Sequence, residues 1–500
     1  MFNLLSMTDL PPEENAGETE TPAFFTDLNL DQILDRVCDG WDAGVRKLYE
    51  RFPATKEDED YRRAIYSDIR NDAIHAAMTE YYGHIRERRI FAKRRDDAYE
   101  PVQKQVWHLR ECHAYITSLE ALDNALKGAQ PRSAGMKAFS DFLSGCVSEE
   151  RYLRMKGEAK LLWTELSSFR VILSYEKNRF TLVEGKGEGS YEQFLSECFP
   201  GESRDLKSPF IDTEYYSRLE EEIVKLFRKK HKAFFKRLDL FCSAYPSCTH
   251  DGIPALEAQM AYYLAYASFQ RMMETKGFHM CTPRPSEDTL RASGLYDLAL
   301  ALTNMASGKE VVPNEAELTA DENFFVLTGP NQGGKTTYGR SLGQLIYFTK
   351  MGLDVPADSA EVPRYSNLWT HFSVEESVET GRGKLMDELV RLKPVMEEEQ
   401  EGAFIVINEL FTTAANYDAI EMGKRVLEYL IGRHCKGIYV THLGELSRSC
   451  KGVVSLRASV NEKHIQTYRI ERSEAYEADG TNRLVLKYKL TYEQIRERFS

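Results

Sequence analysis

Residues 324–337 read FFVLTGPNQGGKTT, an apolar run followed by a glycine-rich loop. Gly329, Gly333 and Gly334 allow the backbone to turn without a clash from a Cβ atom, so successive N–H groups can point at an anion where the next helix begins. Lys335 can then reach the β- and γ-phosphates of a nucleotide. The strand and helix predicted on either side are the context that a phosphate-binding loop requires. The stretch therefore predicts a nucleotide-binding α/β domain rather than a simple glycine-rich turn.

The same loop supplies ligands for a nucleotide and its metal ion. The Thr336 hydroxyl can ligate Mg²⁺, and the Lys335 ammonium can neutralise phosphate charge. The residues predicted to contact the nucleotide are Gly329, Pro330, Asn331, Gln332, Gly333, Gly334, Lys335, Thr336 and Thr337.

Two later apolar runs end in polar residues that could reach the same phosphates. Residues 403–407 read AFIVI, as expected for a buried parallel strand, and lead into Asn408 and Glu409. A carboxylate at such a strand end positions the attacking water or holds metal-bound water, so Glu409 is the predicted catalytic carboxylate and a candidate metal contact. The run 437–440 leads to His442, which alone would more often be a structural histidine. The order of loop, acidic strand end and histidine strand end favours a catalytic role for His442, together with Lys335 and Glu409.

Composition and hydrophobic periodicity divide the chain into three parts. Residues 1–22 are rich in Pro, Glu, Gly and Thr and predict a disordered tail. Residues 23–285 show mainly helical periodicity, interrupted at 167–185 by alternation and a turn that predict a β-hairpin. A domain boundary is predicted within 277–295, and residues 286–500 form the predicted α/β nucleotide domain.

Composition narrows the class of protein. The 500 residues are 42% hydrophobic and 29% charged, and they contain no run of about 18 apolar residues that would indicate a membrane span. The N-terminus lacks a positive end followed by an apolar block, so no secretory signal is expected. The nine cysteines include no C-x-x-C pair, which favours reduced thiols over a disulfide frame or a zinc site. These features predict a cytoplasmic protein.

Charge leaves the question of nucleic-acid binding open. The net charge of −13 argues against general affinity for polyanions, because such binding needs clustered cations. Two basic stretches, 86–95 and 228–237, stand out locally. Either stretch could be a solvated helix face, since Lys and Arg often cover apolar neighbours with their stems, or a contact for a polyanion.

The motifs taken together resemble the MutS family of DNA mismatch repair ATPases, within the ABC-type ATPase group. The resemblance is close from Val312 to Leu446 and includes GPNQGGKTT, residues 355–357 (VPA), Asn408-Glu409 and Thr441-His442. It implies an ABC-type P-loop ATPase domain that binds ATP and Mg²⁺. The helical half with its hairpin resembles the core and lever helices of the family.

The resemblance also implies partners. ATPase domains of the family pair head to tail, so a homodimer is expected in which a signature segment, here Gly383 and Lys384, reaches the partner's nucleotide. DNA, duplex or branched, is the expected macromolecular ligand. By this analogy the candidate DNA contacts are Arg88, Arg89, Arg94, Arg95, Lys229 and Lys230.

Several residues depart from the family pattern. Asn408 stands where the family usually has Asp, so the resemblance implies that Asn408 is a third metal contact, beside Thr336 and Glu409. Its amide oxygen can accept a hydrogen bond from metal-bound water but brings no charge, which predicts weaker metal binding or slower turnover. Gly383 and Lys384 replace a hydroxyl pair, and the stretch after Glu409 lacks the usual Gly-Arg-Gly. The chain contains no Phe-x-Glu, and no room is expected ahead of Asp27 for a mismatch-reading domain. We therefore expect a short MutS-like protein that does not recognise mismatches in the usual way.

These observations predict a MutS-like, DNA-binding ATPase whose slow, Mg²⁺-dependent cycle closes a dimeric clamp on DNA in mismatch repair or recombination-type transactions. An alternative is an ATP-dependent switch or scaffold with weak hydrolysis and no DNA partner, which Asn408 and the acidic balance would suit. A third reading, the ATPase subunit of a transporter, would need a membrane partner and leaves the helical half without a role.

Overall fold

The computed structural model describes residues 2–7, 22–169, 171–176, 179–184, 218–373, 384–397, 401–461, 465–473 and 496. The helices in this part of the chain are α1 (Phe24–Asp27), α2 (Leu30–Val37), α3 (Ala43–Tyr49), α4 (Lys56–Ile69), α5 (Asp72–Asp97), α6 (Pro101–Ala129), α7 (Ala134–Ser148), α8 (Glu150–Ser168), α9 (Arg218–Lys230), α10 (Lys232–Ala244), α11 (Ile253–Thr275), α12 (Leu298–Ser307), α13 (Lys335–Lys350), α14 (Lys384–Glu397) and α15 (Asn416–Gly432). None of these helices combines the length and the apolar character that crossing a bilayer requires.

The strands are β1 (Val171–Glu176), β2 (Arg179–Glu184), β3 (Arg284–Ser286), β4 (Leu290–Leu295), β5 (Asn314–Leu318), β6 (Phe324–Thr328), β7 (Ser359–Pro363), β8 (Leu368–Phe372), β9 (Phe404–Asn408), β10 (Lys436–Val440), β11 (Val453–Val460) and β12 (Gln466–Arg472). The largest sheet has the order β12-β11-β6-β10-β9-β8, and a second sheet has the order β3-β7-β4-β5.

The six-stranded sheet places three predicted features at one edge. Strands β6, β8, β9, β10 and β11 are parallel, while β12 pairs antiparallel with β11. Every residue of β6, β9 and β10 is buried, as expected for central strands covered on both faces. The carboxyl ends of parallel strands share one edge, so the loop after β6, the residues after β9 and those after β10 converge there. The predicted α/β architecture is confirmed at this level.

The chain separates into two compact units, which differ from the predicted division. One, here called the α/β unit, comprises Met1–Asn71, Arg132–Met136 and Ala258–Ser500. The other, the helical unit, comprises Asp72–Pro131 and Lys137–Glu257.

Buried tyrosines explain why the first helices belong to the α/β unit. The Tyr347 hydroxyl on α13 donates to the Tyr49 carbonyl at 2.6 Å, and the Tyr49 hydroxyl donates to the Tyr262 carbonyl at 2.5 Å. Periodicity reports that a segment is helical but not which unit its apolar face packs against, so the sequence placed these helices in a separate domain.

The first residues of the chain are ordered, contrary to the predicted tail. Leu4 and Leu5 are fully buried. The Leu4 N–H donates to Gln259 Oε1 at 2.7 Å, and the Tyr263 hydroxyl donates to the Leu4 carbonyl at 2.7 Å. The prediction of disorder is therefore wrong for residues 2–7, while residues 8–21 lie outside the described part.

The helical unit contains the predicted hairpin. Strands β1 and β2 pair antiparallel from Val171 opposite Glu184 to Glu176 opposite Arg179, which confirms the prediction from alternation. Residues 218–244 form the two helices α9 and α10 rather than one, because the backbone of His231 leaves the helical region at φ −105° and ψ 41°.

Candidate nucleotide site

The loop after β6 owes its shape to left-handed backbone and close packing. Gly334 has φ 86° and caps the N-terminus of α13, and Gln332 has φ 61°. Gly329 has φ 134°, and a Cβ atom there would lie 3.0 Å from the Cβ of Ala458 on β11. Glycine is therefore required where the loop leaves β6 and where it enters α13.

Lys335 lies inside the loop. Its ammonium donates to the carbonyls of Gly329 at 3.0 Å and Pro330 at 3.2 Å, and the residue is buried. Burial lowers the pKa of the Lys335 ammonium below its ordinary value, and the negative charge of Glu409 opposes that shift. The loop thus holds a cation at the point where the sequence predicted phosphate binding.

Two of the three predicted metal contacts touch each other. The Thr336 hydroxyl at the start of α13 donates to Asn408 Oδ1 at the end of β9, with an oxygen to oxygen distance of 3.0 Å. Oxygen donors of this kind suit a hard cation such as Mg²⁺. Glu409, the third predicted contact, follows Asn408 directly, so the donor set fits a magnesium ion with a single carboxylate.

The two strand-end residues predicted to be catalytic form a pair. Glu409 Oε1 lies 2.9 Å from His442 Nε2, and the Glu409 N–H donates to the Val440 carbonyl at 2.9 Å. Glu409 is held at φ 57°, a strained conformation for a residue with a Cβ atom. The parallel pairing of β9 with β10 therefore brings together residues that are 33 positions apart in the sequence.

These groups surround a pocket of about 620 Å³. Residues 331–337 line it together with Glu409 and His442, whereas the predicted contacts Gly329 and Pro330 serve the loop through their carbonyls. The lining also includes residues that the sequence did not single out, namely Leu295, Tyr296, Asp297, Leu300, Asn304, Lys309, Glu310, Val311, Val312, Asn314, Tyr338, Ser341 and Tyr468. Tyr468, whose own φ is 58°, lies beside Gly334. No local sequence motif predicts this contact.

Residues 325–492 match the family model of MutS domain V. Over these residues the chain is similar to the MutS family. It is similar to the DNA mismatch repair protein MutS of Fervidobacterium nodosum, with 29% identity over 157 residues, 31% of this chain and 19% of the relative. The MutS protein of Streptococcus gordonii is 25% identical over 304 residues, 60% of this chain and 33% of the relative. The chain therefore spans about a fifth to a third of the length of these relatives.

The MutS domain V region also contains the predicted signature segment. Gly383 lies outside the described residues, and Lys384 is the first residue of α14. Their predicted contact with a partner's nucleotide stays a prediction.

Outside domain V, the helical unit shows how the candidate DNA contacts are placed. Arg88 is buried, with Nη2 3.2 Å from Glu257 Oε1, and Arg95 lies 2.6 Å from Glu111 Oε2. Because Arg88 is buried and paired with an internal carboxylate, the prediction that it contacts DNA needs correction. Arg95 is paired with Glu111 and is half-buried, so it keeps some exposed surface. The exposed members are Arg89, Lys229 and Lys230.

An aromatic and arginine cluster on α5 and α6 holds the remaining predicted contact. The Arg94 guanidinium lies 5.1 Å from the ring centre of Trp107, and Arg110 lies 5.4 Å from the same ring and 4.6 Å from that of Phe91. Both arginines are half-buried. Arg110 was not among the predicted contacts, because it stands outside the dense basic run.

Proposed function

We propose that this chain is a Mg²⁺-dependent ATPase with an ABC-type P-loop domain. The observation that carries the proposal is the convergence of Lys335, the Thr336 to Asn408 hydrogen bond and the Glu409 to His442 pair on one pocket. These groups come from three different parts of the chain and together match the needs of phosphoryl transfer to water.

Each side chain has a proposed role. The Lys335 ammonium and the loop amides bind the β- and γ-phosphates. Thr336, Asn408 and Glu409 would hold Mg²⁺, which would neutralise phosphate charge. Glu409 orients the attacking water, and His442 holds the Glu409 carboxylate beside the γ-phosphate. Turnover is slow because Asn408 offers the metal a neutral oxygen where a carboxylate would bind more strongly.

The ATPase cycle is proposed to act on DNA through a homodimer. Two copies would pair head to tail, with Gly383 and Lys384 of each copy facing the other's nucleotide. ATP can close such a dimer only by binding the closed form more tightly than the open form. A dimeric clamp of this kind would serve mismatch repair or recombination-type transactions in the cytoplasm.

The proposed DNA contacts follow the accessible cations of the helical unit. Arg94 and Arg110 present guanidinium groups stacked on Trp107, and Arg89, Lys229 and Lys230 are exposed. Such groups bind phosphates irrespective of base sequence, which suits a protein that is not mismatch-specific.

A second candidate is an ATP-dependent switch or scaffold without a DNA partner. The net charge of −13 favours it, as does the neutral Asn408 in the metal set.

A salt titration separates the two candidates. Binding to duplex, branched and single-stranded DNA is measured at several salt concentrations with ATP and Mg²⁺, in parallel with phosphate release. A DNA clamp predicts a log–log slope of several units together with measurable turnover. Turnover without DNA binding in any form would favour the switch, and absence of ATP binding at millimolar Mg²⁺ would overturn both candidates.

A further inference from the structure

The turn that follows β9 is held in an unfavourable backbone conformation. Glu409 has φ 57° and Phe411 has φ 62°, and neither is a glycine. Left-handed backbone at a residue with a Cβ atom costs on the order of 1 kcal/mol, and it persists only where the surroundings fix it. Contacts outside the turn must therefore hold both residues in place.

Two hydrogen bonds do so, one for each strained residue. The Glu409 N–H donates to the Val440 carbonyl on β10 at 2.9 Å. The Phe411 N–H donates to the Glu388 Oε2 atom on α14, also at 2.9 Å. The first bond continues the pattern of the sheet, whereas the second comes from a side chain of a separate helix.

Glu388 is placed rigidly enough to act as such a support. It is only 3% exposed. Leu392 and Val395, further along α14, pack in the same apolar cluster as Leu410 and Phe411. Arg391 fastens the helix to the sheet by donating to the Phe372 carbonyl at 2.9 Å.

A carboxylate is an expensive group to bury at this position. An apolar side chain would fill the same space in the cluster without the desolvation cost of a carboxylate. The hydrogen bond from the Phe411 N–H explains why a glutamate occupies position 388, because a charged acceptor makes a strong hydrogen bond to a backbone N–H.

We propose that Glu388 is a positioning residue for Glu409: by holding the Phe411 N–H it fixes the strained turn, and the turn sets the Glu409 carboxylate against His442. This inference rests on the proposed ATPase function, in which Glu409 orients water. Since α14 begins at Lys384, one turn before Glu388, this hydrogen bond links the start of that helix to the turn that carries Glu409.

The test compares Glu388→Leu with Glu388→Gln in the full chain. Leucine removes the acceptor, whereas glutamine keeps an oxygen for the Phe411 N–H. We expect kcat to fall about 10- to 100-fold in Glu388→Leu, because small displacements of a catalytic group carry such penalties, with the Kd for ATP changed less than about 3-fold. Glu388→Gln should restore kcat to within about 3-fold of the native chain.

Hydrogen exchange provides a readout that does not depend on catalysis. The amides of residues 408–414 should exchange faster in Glu388→Leu and at the native rate in Glu388→Gln. If the native chain bound and hydrolysed no ATP, the proposed function would fail, and exchange alone would still decide whether Glu388 holds the turn.

The control is Glu59→Leu. Glu59 is also buried in the α/β unit, where it pairs with Lys350 at 3.0 Å, and Lys350 keeps the Tyr365 carbonyl as a partner. This variant should lose thermal stability but retain native kcat. An equal fall of kcat in Glu59→Leu, or unchanged kcat and exchange in Glu388→Leu, would overturn the proposal.

Discussion

The phosphate loop before α13 and the basic run of α5 hold their cations in different ways. Lys335 donates to carbonyls five and six positions away, inside its own loop. Arg88 pairs with Glu257, which is 169 positions away. The hydrogen-bond acceptors of Lys335 therefore lie in one continuous stretch of sequence, whereas the partner of Arg88 lies on a helix that is distant in the sequence. The role of a cation whose partners lie within its own motif can be predicted from sequence, whereas the role of a cation whose partner lies far along the chain cannot.

The largest expected difference between the two regions is the effect on ATP binding when a cation in each is replaced. Lys335→Ala should weaken ATP binding by at least about 100-fold, because it removes a charged donor from the phosphates. Lys229→Ala, which removes an exposed lysine of the helical unit, should leave the Kd for ATP unchanged. Titration with a fluorescent ATP analogue measures both. Equal effects would mean that the loop does not form the phosphate site.

Replacing the proposed catalytic carboxylate, Glu409, should slow ATP turnover without weakening ATP binding. Glu409→Gln should reduce kcat by about 100-fold or more, since an amide is a poor base for water, while the Kd for ATP changes little. Exposed Glu445→Gln is the matched control and should behave as the native chain. Single-turnover phosphate release with bound ATP provides the measurement. Hydrolysis at the native rate in Glu409→Gln would show that another group orients water.

On the helical side, the buried and exposed arginines should differ in stability. Arg88→Ala should lower the free energy of unfolding by about 3 kcal/mol, because it leaves the Glu257 carboxylate buried without its cation. Arg89→Ala, at an exposed neighbouring position, should change it by less than about 0.5 kcal/mol. Urea denaturation followed by circular dichroism distinguishes them. Two small and equal changes would contradict the internal role of Arg88.

A buried histidine should make the α/β unit sensitive to acid. Burial lowers the pKa of His371 on β8 to about 4, with a contribution from the Arg391 charge. Between pH 6.5 and 4 the unfolded chain binds a proton at this group that the folded chain does not, so stability falls as pH falls through that window. Lowering the pH from 7 to 5.5 should cost about 1 kcal/mol through His371.

The matched variant His371→Gln should remove that part of the pH dependence. Urea midpoints at pH 7, 6 and 5.5 provide the measurement for both chains. An identical pH dependence in both would show that His371 titrates as it does in the unfolded chain.

Local chemistry made much of the α/β unit predictable. The apolar composition of β6, β9 and β10 predicts that these strands are buried, and the glycines of the loop predict where it turns. In the helical unit, the hairpin of β1 and β2 could be predicted because apolar and polar residues alternate along it. Each of these features depends on residues within a few positions of one another.

The features that escaped prediction depend on distant partners. Leu4 and Leu5 resemble any short apolar pair until Gln259 and Tyr263 are beside them. Tyr468 reaches the loop only because β12 pairs with β11, and the support of Phe411 by Glu388 spans two separate elements. Side-chain type alone does not encode such proximity.

The division of the α/β unit along the chain bears on the order in which the protein is made. Residues up to Asn71 leave the ribosome before the helical unit, yet Tyr262 and Tyr263, to which they bond, come after the whole of that unit. At about 5 to 20 residues per second, the early segment waits roughly 10 to 40 seconds for those partners. The helical unit can complete its own packing during that interval. Newly synthesised chains should therefore pass through a stage in which the helical unit is folded and the α/β unit is not.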